Sequence, residues 1–251
     1  MKPFVSVLYA EYAGKGDHVS FTLSEKARRV ICCFRVLFGL TAIDSVKFAR
    51  PFESYQFTYS NITIEFDASL TGIGLLYYLT VENTEIVIGG GSVDITELNF
   101  QSCPSYQNTA EFVAAILGIR GLRQLRMKPR SVKLRGDSIT ALKWAESGKF
   151  KGDLVGNASI IFILQGIYEN ISVNCVTHLT ASDNWRTDYL SRGGTLDSLK
   201  ERDKSLGRTL ILVELNNDEI TALCNPNLPT SNENDFDIFW SNARRVLSQI
   251  L

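Results

Sequence analysis

The stretch Ile62-Thr63-Ile64-Glu65-Phe66-Asp67, continuing through Ala68-Ser69 to Gly72 and Gly74, decides the fold. Its β-branched and aromatic residues favour an extended strand, and their alternation puts Ile62, Ile64 and Phe66 on one apolar face. Asp67 ends that strand, where a carboxylate serves either as a turn residue or as a delivered ligand. Two more strands follow, Gly72 to Leu79 and Glu85 to Val93, joined through the polar turn Glu82-Asn83-Thr84 as an antiparallel meander. Gly89-Gly90-Gly91 predicts a bulge or an irregular strand end.

Downstream the periodicity changes from two to about 3.6. A long helix is expected from Asn108 to Leu125, with Ala110, Val113, Ala114, Leu117 and Gly121 on one stripe, and Pro129 ends that element. Then come a short strand Ser131 to Arg135, helices from Ser138 to Glu146 and from Leu154 to Tyr168, a strand Ile171 to Thr177 and a further helix. Upstream, Ser24 can cap a helix over Glu25 to Leu40, and Lys47 to Tyr59 reads as an irregular connector. The tail holds a strand candidate, Thr209 to Leu215, and an amphipathic helix candidate from Phe236 to Ile250 suited to packing or partner docking. Three regions result: a helical connection segment at 1–58, an α/β unit at 59–194 and a C-terminal extension at 195–251.

A chain of 251 residues, 45% apolar and 21% charged, is long enough for a substantial core. The apolar runs Val30 to Leu40 and Ile160 to Leu164 are broken by Arg35 or far shorter than the roughly 20 residues that cross a bilayer, so no membrane partner is expected. The start Met1-Lys2-Pro3-Phe4 lacks the order of a signal peptide, which makes cytosol or nucleus the expected compartment. Cys32, Cys33, Cys103, Cys175 and Cys224 form no CxxC pair, and their odd number fits no disulfide framework. Net charge is near minus one, but Arg120, Arg123, Arg126, Lys128, Arg130, Lys133 and Arg135 follow one another with no intervening acid. Such a run is either a phosphate-tracking surface or a solvated helix end. Trp144 and Trp185 suit core or groove-wall packing better than base stacking.

Three more carboxylates stand at positions like that of Asp67. Glu111, in Gln107-Asn108-Thr109-Ala110-Glu111, falls in the first turn of the long helix, where the helix dipole alone would favour it. Asp137, in Arg135-Gly136-Asp137-Ser138, passes from a strand into a helix start, where plain N-capping is the ordinary role. Asp188 belongs to the most specific motif: His178, five residues, Asn184, three residues, then Asp188-Tyr189-Leu190-Ser191-Arg192.

These four segments resemble the ribonuclease H family, above all the domain fused to retroelement reverse transcriptases, whose last motif reads H-x5-N-x3-D-x-L-[AS]-R. The resemblance covers the central 130 or so residues. It implies an α/β, ribonuclease H-like fold: a five-stranded mixed sheet, three antiparallel strands and then two more, flanked by helices. It implies an endonuclease that cuts the RNA strand of RNA/DNA hybrids with two magnesium ions, manganese being a substitute. Asp67 would bridge both ions, Asp188 would help bind the one that activates water, and Glu111 with Asp137 would hold the other. His178 matches a histidine that assists proton transfer or product release. Asn108 matches a position that reads the minor groove, and Ser138 would help there, since an amide or hydroxyl can answer a 2′-hydroxyl. Asp183 lies at the wrong spacing from His178 for the metal role. Arg126, Lys128 and Arg130 are the candidate phosphate contacts.

The resemblance also implies a reverse transcriptase polymerase domain as partner in a parent polyprotein. No Tyr-x-Asp-Asp sequence occurs, so this chain carries no such polymerase site. Two other classes of function fit a related fold: a non-catalytic nucleic-acid-binding or scaffolding module, and a DNA-cutting nuclease. Retention of the four acids and His178 argues against the first, and the Asp137-Ser138 and Asp188-x-Leu190-Ser191-Arg192 patterns argue against the second.

Overall fold

The computed structural model describes residues 61–98, 104–148, 156–168, 171–207 and 209–224, with the short N-terminal stretches 8–9, 11–13, 22–24, 27–28 and 31. The connector before residue 59 and the tail helix expected from Phe236 lie outside the described residues. Of the helix expected after Ser24, the residues Ala27, Arg28 and Ile31 are described and helical, and the Ala27 N–H donates to Ser24 Oγ at 3.2 Å.

A mixed sheet organises the molecule. Its strands are β1 (Ile62–Ala68), β2 (Gly72–Val81), β3 (Thr84–Asp94), β4 (Ser131–Gly136), β5 (Ser172–His178) and β6 (Ile211–Leu212), in the order β5-β4-β1-β2-β3-β6. β1, β2 and β3 form the expected antiparallel meander, while β4 and β5 run parallel to β1. Glu82 and Asn83 both adopt positive φ, 49° and 66°, the conformation of a two-residue type I′ hairpin turn.

The sheet has six strands rather than five. The tail segment expected as a strand from Thr209 to Leu215 pairs over two residues only, parallel to β3 at Gly89 and Gly90. The glycine run makes that pairing close: a Cβ on Gly91 would lie 2.2 Å from the Val213 carbonyl oxygen. The register slips one position earlier, opposite Tyr77 and Tyr78.

Helices cover both faces. α1 (Pro104–Gly121), α2 (Ile139–Ser147), α3 (Gly156–Tyr168) and α6 (Asn217–Cys224) belong to one layer, α4 (Trp185–Ser191) and α5 (Leu196–Arg202) to the other. α1 begins four residues earlier than its periodicity suggests, because proline is accepted at the first helical position, where its missing N–H costs nothing. It is also buried nearly all round, packed between the sheet and the other helices of its layer. Its single apolar stripe therefore understates its burial. Ile62, Ile64, Phe66, Phe112, Val113, Ile116 and Leu134 form the heart of this core, with Trp144 set edge-on to Phe112 at 5.8 Å between ring centroids. Leu76, Tyr78, Leu190, Leu196, Leu199 and Leu206 form the smaller core opposite.

Among the described residues, no helix is long and apolar enough to cross a membrane.

Candidate active site

Strand alternation gives β1 two unlike faces. Ile62, Ile64 and Phe66 enter the α1 core, while Thr63, Glu65 and Asp67 face the α4 layer; all six are buried. β4 lies parallel to β1 with Arg135 opposite Glu65, so the chain delivers Asp137 beside Asp67 two residues further on. α1 passes over the same strand end, and Gln107 ties it there by donating to the Ala68 carbonyl and, at 3.2 Å, to Glu111 Oε1. Glu111 stands in the eighth position of α1 rather than in its first turn, because the helix starts at Pro104. Three elements thus converge on one point, where Asp67, Glu111 and Asp137 each place a carboxylate oxygen within 4.8 Å of the others.

The electrostatics are those of a cluster short of positive charge. Burial raises the Asp67 carboxyl to about 6, the charges of Asp137 and Asp188 push the same way, and the Ser191 hydroxyl opposes them. Burial, then Asp67 and Asp137, lift Glu111 well above the ordinary glutamate range. Asp137 is raised by burial and by Asp188, against the nearby charges of His178 and Arg192. Among the described residues, no lysine or arginine forms an ion pair with these three acids. Among the described residues, no group within hydrogen-bond geometry meets the buried Glu111 Oε2. A buried carboxylate oxygen left in that state is costly, and an all-oxygen donor set without cysteine fits a hard divalent cation.

Asp188 stands at the rim. Its carboxylate accepts from Arg192 Nε, on the C-cap residue of α4, at 2.6 Å, outside the group of three, although its charge reaches Asp67 and Asp137. Asp183 is exposed and accepts from Thr180 Oγ1 at 2.6 Å in the preceding loop. His178 ends β5, with its exposed ring placing Nε2 3.1 Å from the Asp137 carbonyl oxygen. Asn108 Oδ1 accepts from Ser138 Oγ at 3.4 Å, and the same hydroxyl caps α2 through the Ala141 N–H. These five belong to the same end of the sheet as the carboxylates.

The basic run does not. Arg126, Lys128 and Arg130 are exposed on the connection between the far end of α1 and the start of β4, a full strand length, roughly 20 Å, from Asp137. Arg135 is committed elsewhere, to Glu65 and Glu85, both at 2.7 Å. Trp185 lies beside the guanidinium groups of Arg186 and Arg202, at 5.6 and 5.5 Å.

Sequence reasoning missed the groups that hold the acids. Asn184 Nδ2 donates to Asp67 Oδ1 at 3.0 Å and Ser191 Oγ donates to Oδ2. Both residues sit in the last motif, seven apart and so on one side of a helix, a signal that could have found them. Gln107, one helical turn before Glu111, had a similar signal.

No family model matches the chain, and no curated protein does. Solved structures do. The RNase H1 of the halophilic archaeon Halobacterium salinarum NRC-1 is 16% identical with a TM-score of 0.40, the match covering 57% of this chain and 99% of that one. LC11-RNase H1, in complex with an RNA/DNA hybrid, is 20% identical with a TM-score of 0.38, over 56% of this chain and 98% of that one. The N-terminal RNase H domain of a Mycobacterium tuberculosis protein, solved as a fusion with maltose-binding protein, is 16% identical with a TM-score of 0.36, over 53% and 98%.

Proposed function

We propose that this chain is a metal-dependent endoribonuclease that cuts the RNA strand of RNA/DNA hybrids during retroelement reverse transcription. The observation that carries the reading is the convergence of Asp67, Glu111 and Asp137 with no lysine or arginine paired to them among the described residues. The motif from His178 to Arg192 supports the retroelement context, and with it a polymerase domain as partner and a cytosolic or nuclear setting.

Asp67, Glu111 and Asp137 would hold magnesium, with manganese as a substitute, and Asp188 would join them by turning from Arg192. Two such ions supply an activated water and charge neutralisation for in-line displacement at a phosphodiester. The chain's own groups do the rest. Asp67 is held in one orientation by Asn184 and Ser191. His178, exposed at the rim beside Asp137, is placed to take up or release a proton as product leaves. Asn108 and Ser138, adjacent at the same end, offer an amide and a hydroxyl to a ribose 2′-hydroxyl.

The test is incubation of the chain with labelled RNA/DNA hybrid, double-stranded DNA and double-stranded RNA, each with magnesium or EDTA. Magnesium-dependent cutting of the hybrid's RNA strand alone is expected. Cutting of double-stranded DNA would point to a DNA nuclease, and hybrid binding without cutting to a scaffolding module.

A further inference from the structure

β2 opens with Gly72 and Gly74, two residues apart and so on one face of the sheet, the face that α4 covers. A Cβ on Gly72 would lie 2.4 Å from the Ser191 carbonyl oxygen, and one on Gly74 would lie 2.4 Å from the Thr187 carbonyl oxygen and 2.8 Å from the Ser191 nitrogen. No side chain fits in that space. The backbone of α4 therefore rests in a notch that glycine alone leaves. Ser69 closes the notch, donating from Oγ to the Ser191 carbonyl at 2.6 Å and accepting the Gly72 N–H at 2.9 Å.

Seated there, α4 turns Asn184 and Ser191 toward Asp67, and each donates to a different oxygen of its carboxylate. The Thr187 hydroxyl, donating to Asn184 Oδ1 at 2.7 Å, sets the amide so that its NH2 group faces the acid. Asn184, Thr187 and Ser191 are all fully buried. Each carboxylate oxygen has two lone-pair sites, so one neutral donor on each leaves the other pair for a cation shared with Glu111 and Asp137.

We propose that Ser191 and Asn184 are positioning residues for the cation site, acting through Asp67. This rests on the reading of Asp67, Glu111 and Asp137 as that site. The two donors fix the carboxylate's rotation, and the Gly72–Gly74 notch fixes the donors. Both are fully buried, out of reach of a substrate.

Ser191→Ala removes one donor and keeps the helix and the Ser69 latch, whose acceptor is backbone; Asn184→Ala removes the other donor. Two readouts apply to the whole chain: the magnesium concentration at half-maximal hybrid cleavage, and that at half-maximal thermal stabilisation, which needs no catalysis. Both midpoints are expected to rise about tenfold in each variant, within the range found when groups that orient metal ligands are lost, while KM for the hybrid stays unchanged. A role in packing alone would lower the melting temperature without magnesium and leave both midpoints where they were, and that result in Ser191→Ala would overturn the proposal. Wild-type protein stabilised by magnesium but unable to cut hybrid would sink the nuclease reading alone, because the thermal midpoints would still decide the positioning role.

Discussion

Glu65 and Asp67 lie two residues apart on one strand, face the same layer and are equally buried, yet the protein treats them differently. Glu65 meets the Arg135 guanidinium at 2.7 Å, and that arginine is further held by Glu85 and lies 3.9 Å from the centre of the Tyr78 ring. Asp67 meets an amide, a hydroxyl and two other acids. Burial raises both carboxyls. The first acid has its counter-charge built into the sheet, and the second lies in a socket with no lysine or arginine paired with it among the described residues. A fold able to place Arg135 opposite Glu65 could place a cation opposite Asp67, so the charge missing there is the one that the proposed exchangeable cation would supply.

The sharpest way to break this contrast is Asp137→Asn, which keeps shape and removes one charge from the socket. Hybrid cleavage is expected to fall by orders of magnitude. The metal-free protein should be as stable as wild type or more so, since clustered acids oppose one another, and magnesium should stabilise it less. Thermal melts with and without magnesium beside a cleavage assay check all three. Near-normal cleavage with an unchanged magnesium shift would reduce Asp137 to a helix cap.

On the other side of the contrast, Arg135→Leu strands Glu65 in the interior. Loss of one partner from such a buried pair costs about 3 kcal/mol, so urea unfolding at neutral pH should show a loss of that order. The loss should shrink as pH falls, because burial raises the Glu65 carboxyl and lets it take up a proton. The pair spans strands 70 residues apart in sequence.

A third prediction concerns pH. With a folded-state pKa near 6 against 3.8 for the ordinary side chain, Asp67 stays protonated in the folded protein after the unfolded chain has lost its proton. Its contribution is complete below about pH 4 and is lost as pH rises through 6, on the order of 3 kcal/mol at full extent. Metal-free protein should therefore lose stability from this group between pH 4 and 6, and magnesium should offset that loss at neutral pH. A profile indifferent to magnesium would leave the socket without its proposed occupant.

The smallest effect is expected from neutralising Arg126, Lys128 and Arg130 together. They stand roughly 20 Å from the carboxylates, a span of about six base pairs. KM for a long hybrid should rise a few-fold with a flatter salt dependence, whereas a six-base-pair hybrid should be cut as by wild type. Equal loss on both would mean that the run acts on the site itself.

These contrasts also show what the sequence makes legible. Alternation in β1, the meander and the order of strands and helices follow from local patterns, and they place Asp67 and Asp137 at strand ends where convergence can be foreseen, whereas Glu111 sits in the middle of α1 and not in the first turn its sequence suggests. The basic run could not be placed, because Arg120 to Arg135 is contiguous in sequence but winds from the end of α1 through a turn at Arg126, φ 56°, into a strand running back toward the site. Arg135 looked like its neighbours until the β1/β4 register set it against Glu65. Asp188 was picked out by spacing, but spacing says nothing of a rotamer that turns it to Arg192. The contacts of Asn184 and Ser191 with Asp67 span 117 and 124 residues, and only the close seat of α4 on β2 makes them.

The glycine run of β3 bears on how the molecule can be dissected. Gly89, Gly90 and Gly91 carry no side chains of their own, and the carbonyls of Ile211 and Val213 lie directly over two of them. Beyond that seam Val213, Ile220, Leu223 and Cys224 are buried in the main core, and Leu196, Leu199 and Leu206 in the smaller one. A fragment trimmed just after the last motif, near residue 194, would keep every proposed ligand and still bare a strip of backbone and two hydrophobic floors to water. A stretch expressed by itself should therefore run at least through Cys224, and shorter ones should be recovered as aggregates.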